Sequence, residues 1–124
     1  MINTLNIGSF ISSRLTNIGV KVYPIIADND AKSTFIVYRR NGLSSNLCKD
    51  GIYQETVSVE ITIVSPTYST SIETASKVRR AIERYRGTYD DYNIDDIFLT
   101  FADEQYIQNQ YIQNSGVIST NYTR

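Results

Sequence analysis

Thr56-Val57-Ser58-Val59-Glu60-Ile61-Thr62-Ile63-Val64 is the stretch that decides how this chain folds. Val57, Val59, Ile61 and Ile63 take every second position, with Ser58, Glu60 and Thr62 between them. Side chains alternate across a strand, so the pattern predicts a strand covered on one side only. Pro66 stops it, and Thr70-Ser71-Ile72-Glu73 supplies an N-cap threonine with a glutamate three residues later, a capping box. A helix is predicted over 71–86, burying Ile72, Ala75, Val78, Ile82 and Tyr85 and ending before Gly87. Beyond it, Ile94 to Phe101 predicts another strand, with Ile97, Leu99 and Phe101 alternating against Phe98 and Thr100.

Upstream, residues 41–53 hold Gly42, Ser44, Ser45, Asn46, Asp50 and Gly51 and are expected to form a polar loop. Thr34 to Arg39 is dense in β-branched and aromatic residues, a strand closed by Asn41-Gly42. Asp28-Asn29-Asp30 reads as a turn, and Val20 to Ile26 as a short strand interrupted by Pro24, which cannot donate to a ladder. Residues 4–18 space Ile7, Phe10, Ile11, Leu15 and Ile18 by threes and fours, an amphipathic helix that Gly19 can end in the left-handed conformation. Gly8 inside that pattern costs about 1 kcal/mol against alanine. The tail from Gln105 to Thr123 contains no Lys, Arg, Asp or Glu and carries Tyr-Ile-Gln-Asn at 106–109 and again at 111–114. The two copies read as limbs of β structure around a turn, with Gly116 to Tyr122 as the last strand. An edge strand without a gatekeeper charge is an aggregation liability unless a partner covers it.

Runs of strands around two helices, without βαβ regularity, predict an α+β fold: one mostly antiparallel four- to six-stranded sheet with two helices packed on one face. At 124 residues, a single domain over 1–124 is expected. Hydrophobic residues at 41% and charged residues at 20% support an ordinary core. The formal charge of −1 supplies no field for gathering polyanions, which disfavours a dedicated nucleic-acid binder. No apolar run approaches the roughly 18 residues a membrane span needs, and Met1-Ile2-Asn3-Thr4-Leu5 lacks the features of a secretory signal. With Cys48 as the single cysteine, a reducing cytosol is the expected place of synthesis.

The residues offer little to chemistry. The absence of histidine removes imidazole acid–base catalysis and Cys/His zinc sites, and one cysteine permits no internal disulfide. The six glycines form no phosphate-cradling loop. Asp91-Tyr92-Asn93-Ile94-Asp95 copies the opening of a calcium loop, then fails with Asp96 where glycine belongs and Ala102 where the bidentate glutamate belongs. Cys48 sits beside Lys49 with no histidine to act as its base. The expectation is therefore no enzyme, no cofactor and no metal. Two surface features remain. The second helix carries Lys77, Arg79, Arg80, Arg84 and Arg86 against Glu73 and Glu83, whereas 87–104 holds Asp90, Asp91, Asp95, Asp96, Asp103 and Glu104 with no cation. Cations near a helix C-terminus complement its dipole, and acids solvate a loop. The same pattern also suits complementary charge across a subunit boundary, with Arg80 and Arg84 opposite Asp95 and Asp96, and with Tyr106, Tyr111 and Ile112 as anchors in the charge-free tail.

The order of parts resembles the tail completion or tail terminator proteins of long-tailed bacteriophages. The resemblance rests on Val22-Tyr23-Pro24, on Ile36-Val37-Tyr38, on the junction Ser65-Pro66-Thr67-Tyr68 ahead of Ala75, Val78-Arg79 and Ile82, and on Asp103-Glu104 with Tyr106 and Tyr111 before a last strand. Ser33-Thr34 stands where the family often has a proline, and Gly116 to Tyr122 is less apolar than its usual final strand. The resemblance implies a structural virion protein of the neck, assembled in the bacterial cytoplasm, that forms a ring, commonly hexameric, capping the tail tube and joining tail to head. Its implied partners are further copies of itself, the tail tube protein and the head connector, with DNA only passing through the lumen and no membrane contact. A head-side connector or stopper ring is the alternative. A small nucleic-acid-binding α+β domain would need a basic sheet face with exposed aromatics, whereas Ser58, Glu60 and Thr62 occupy the solvated side of the clearest strand.

Overall fold

The computed structural model describes residues 4–27, 33–47 and 53–123; the expected turn at 28–30 and Cys48 lie outside them. The chain forms α1 (Ile7–Leu15), β1 (Lys21–Pro24), β2 (Phe35–Leu47), β3 (Tyr53–Ser65), α2 (Tyr68–Ile82), β4 (Gly87–Tyr89), β5 (Tyr92–Ile107) and β6 (Gln110–Thr123). One six-stranded sheet runs in the order β1-β2-β3-β6-β5-β4. Only the β1–β2 pair is parallel. The fold is α+β, as the alternation in β3 implies: Val57, Val59, Ile61 and Ile63 are each 1% exposed or less, and both helices pack against that face.

The first helix is α-helical only over its middle nine residues, Ile7–Leu15, with single 3-10 turns at Thr4–Asn6 and Thr16–Ile18. Ile7, Phe10, Ile11 and Leu15 are buried, and Gly19, at φ 95°, ends the segment left-handed. Gly8 has a packing reason. A β-carbon there would lie 3.0 Å from the Tyr38 ring, so the missing side chain lets α1 close on β2.

Helix α2 begins and ends earlier than the capping box predicts, running Tyr68–Ile82 instead of 71–86. Thr67, extended at φ −124° and ψ 143°, takes the N-cap position, and the Ser71 amide donates to its carbonyl. Tyr68 is held by Tyr111, at 5.5 Å between ring centroids, and by Glu104, and these tertiary contacts win over the local signal at Thr70. The buried residues are Ser71, Thr74, Val78 and Ile82, whereas Ile72 is 38% exposed. The stripe is thus rotated toward small hydroxyl side chains. Ser71 satisfies its hydroxyl on the Tyr68 carbonyl and receives the Gln113 amide. At the other end Glu83 is extended and Arg84 left-handed, at φ 63°.

Both long hairpins exceed their expected lengths. Asn41-Gly42 does not close β2: the register shifts between Arg40 and Gly42, and pairing continues to Leu47 opposite Tyr53. The expected loop over 41–53 is therefore mostly strand, because a bulge absorbs the turn-forming pair and β3 templates the polar residues beyond it. β5 and β6 meet at Gln108-Asn109, both with positive φ (50° and 65°), the backbone of a two-residue primed turn. β6 runs the full length from Gln110 and lies inside the sheet, bonded to β3 on one side and β5 on the other. The expectation that 105–123 offers a free edge is corrected for β6, whose backbone groups are used on both sides. A strand with two partners needs no gatekeeper, which accounts for its lack of charge.

Candidate functional site

The helix layer is narrower than the sheet. α1 lies over β1 and β2, and α2 lies over β3 and β6, which leaves the helix-facing side of β5 without a helix of its own. A crevice of about 160 Å³ opens there between α2 and the sheet, lined chiefly by Ile72, Ala75, Val78, Leu99, Ala102 and Val117. Arg79 and Glu83 stand at its rim, paired at 2.8 Å. Beyond residue 97, β5 has a backbone partner on one side only among the described residues. This edge carries Asp103 and Glu104, so the gatekeeper charges sit where the open edge is.

Further along the same strand Tyr106 faces Tyr111 across the hairpin, with ring centroids 4.7 Å apart, and Tyr111 in turn meets Tyr68. Glu104 accepts the Tyr68 hydroxyl and the Gln113 amide, each at 3.0 Å. That carboxylate beside the phenol raises the Tyr68 pKa above its ordinary value. Ile112 points to the opposite, helix-free face, flanked by Val64 of β3 and Gln105 of β5. There Phe98 and Phe101 are 38% and 43% exposed, and Arg39 pairs with Glu60 at 3.6 Å. A β-carbon at residue 116 would overlap the Phe101 ring, so Gly116 is the floor on which that ring lies.

The charge pattern is partly satisfied within one subunit. Arg84 Nη1 reaches Asp96 Oδ2 at 2.9 Å, although Asp96 Oδ1 is buried without a hydrogen-bond partner among the described residues. Arg86 donates to the Asp95 carbonyl at 2.9 Å. Arg80 and the Asp95 carboxylate have no ion pair among the described residues. The calcium-like segment 91–95 enters β5, and Tyr92 and Ile94 belong to the core.

Sequence reasoning missed a second apolar feature on the opposite flank, beside α1. Ile25 and Ile26 are 71% and 77% exposed, and neighbouring Leu5 is 61% exposed. Ile25 has φ 67°, and the Ile26 amide donates to the Pro24 carbonyl at 2.6 Å, closing a three-residue turn with positive φ at its centre. A β-branched residue in that region is strained. The available signal was two isoleucines directly after a proline.

Among the described residues no group of three or more potential metal ligands occurs, and no helix is long and apolar enough to cross a membrane. No family model and no curated protein matches the chain. The fold is nevertheless shared: a chain from the virion of native gene transfer agent (GTA) particle superposes with a TM-score of 0.71 at 10% identity, over 96% of this chain and 89% of that one.

Proposed function

We propose that this protein is a structural component of a phage-type virion, a neck protein that forms a hexameric ring to cap the tail tube and join it to the head. The observation that carries the reading is the fold shared with a virion component across nearly the whole chain, together with the sequence's resemblance to tail completion proteins. The molecule's own surface supports it. An apolar crevice on one flank and an apolar projection on the other are different patches, and a contact between different patches repeats head to tail until the rotation closes a ring. Arg80, Asp95 and Asp103 have no ion pair among the described residues and are available to a neighbouring subunit. The helix-free face pairs its arginine with a glutamate, a poor match to the basic aromatic surface of a nucleic-acid binder.

Negative-stain electron microscopy of the purified protein, alone and mixed with tail tubes, tests the reading. Rings of one diameter seated on tube ends are expected. Rings that bind only to heads would favour the connector alternative, and a strict monomer under every condition would refute both.

A further inference from the structure

Resting on the ring reading, we infer that Ile25 and Ile26 of one subunit insert into the crevice between α2 and β5 of the next copy of this chain. The two features share the helix layer and lie at its opposite ends, the isoleucines beside α1 at the β1 edge and the crevice beyond α2 at the β5 side. Their chemistry matches. The crevice is open because Ala75 and Ala102 are small, and its floor of Val78, Leu99 and Val117 is apolar. The projection consists of the two most exposed large aliphatic side chains among the described residues.

Charge complementarity names the occupant as a second copy. Arg40 lines the hollow beside Ile25 and has no ion-pair partner among the described residues. Asp103 and Glu104 follow Ala102 directly along β5, past the crevice. At the rim itself Arg79 is neutralised by Glu83. The strained turn at Ile25 gives an independent reason. The turn is held by the Ile25 amide on the Tyr38 carbonyl, at 2.8 Å, and by the Ile26 amide on the Pro24 carbonyl. Yet the β-branched Ile25 side chain stands in water at positive φ, and strain of this kind clusters where function requires a particular display.

The contact is tested with two variants of the full chain, one carrying Ile25→Asp and Ile26→Asp, the other Ala102→Arg. All three positions are exposed, and aspartate tolerates positive φ better than isoleucine, so both variants should melt no lower than the parent. Sedimentation velocity should show each variant alone raising the concentration for half-assembly at least about tenfold, since each loses one half of an apolar contact. Mixed at high concentration, the variants restore one contact per pair and should give heterodimers and nothing larger.

Parent-like rings from either variant, or a mixture that forms no dimer, would overturn this contact and leave the ring reading standing. Variants that form rings but no longer cap tail tubes would assign the crevice to the tube protein instead. A parent that never assembles, with or without tubes, would end both inferences.

Discussion

Single residues at the start of the chain tie it to the sheet through a buried polar network. Glu55, 8% exposed, accepts the Thr4 hydroxyl at 2.5 Å and the Thr4 amide at 3.2 Å, and its carbonyl receives the Asn121 side chain, itself bonded to Ser119. Glu55→Ala strands buried donors on Thr4, so a loss of about 1–3 kcal/mol is expected in urea unfolding, against a much smaller loss for Glu55→Gln, which keeps an acceptor. Nearby, the Tyr92 hydroxyl donates to Asn6 Oδ1 at 3.0 Å, and burial raises its pKa well above the ordinary 10.0. An unfolded chain ionises this phenol near pH 10 while the folded one keeps it neutral. The sign follows: stability is full below about pH 10 and falls as pH rises beyond it. Thermal melts of Tyr92→Phe should start lower, by roughly 1 kcal/mol for the lost hydrogen bond, yet show a shallower decline between about pH 10 and 11.5. An equal slope in parent and variant would exclude Tyr92 as the titrating group.

At the level of elements, what was legible in the sequence was what local periodicity encodes. The alternation in Thr56 to Val64 and the spacing of Ile7, Phe10, Ile11 and Leu15 gave the correct core faces, since each pattern is complete within one element. The extension of β2 past Asn41 was not legible, because Ser44, Ser45 and Asn46 have no strand preference of their own and are held by Thr56, Glu55 and Gln54 opposite them. The central place of β6 was likewise a matter of non-local pairing. Of the site, the paired tyrosines and the charged set could be read as residues. The crevice could not, because it arises from helices that cover fewer strands than the sheet contains. The Gln108-Asn109 turn offers a direct test of the hairpin. Both residues sit at positive φ, where glycine carries no steric penalty. Asn109→Gly should therefore stabilise the protein by a few tenths to about 1 kcal/mol in urea unfolding. A clear destabilisation would show that the asparagine's bond from the Tyr106 hydroxyl, at 3.3 Å, outweighs the relief of strain.

For the whole molecule, the balance between charge and apolar contact decides how an assembly would respond to its medium. Lys21, Arg40, Asp103 and Asp95 are exposed, and pairs formed by such groups contribute about 0–1 kcal/mol each and are screened by salt. The insertion of Ile25 and Ile26 into a crevice removes apolar surface from water, at about 25 cal/mol per Å², and screening leaves that term untouched. Sodium chloride and sodium sulfate at equal ionic strength screen charges to a similar degree, but sulfate also strengthens apolar burial. If the isoleucine contact dominates, raising chloride from about 0.05 to 0.5 M should weaken rings only modestly, and sulfate at matched ionic strength should weaken them less or strengthen them. Light scattering across the two series reads this directly. A steep and equal fall in both salts would mean that Arg80, Asp95 and the other exposed charges hold the subunits together, and that the hydrophobic flanks meet something other than each other.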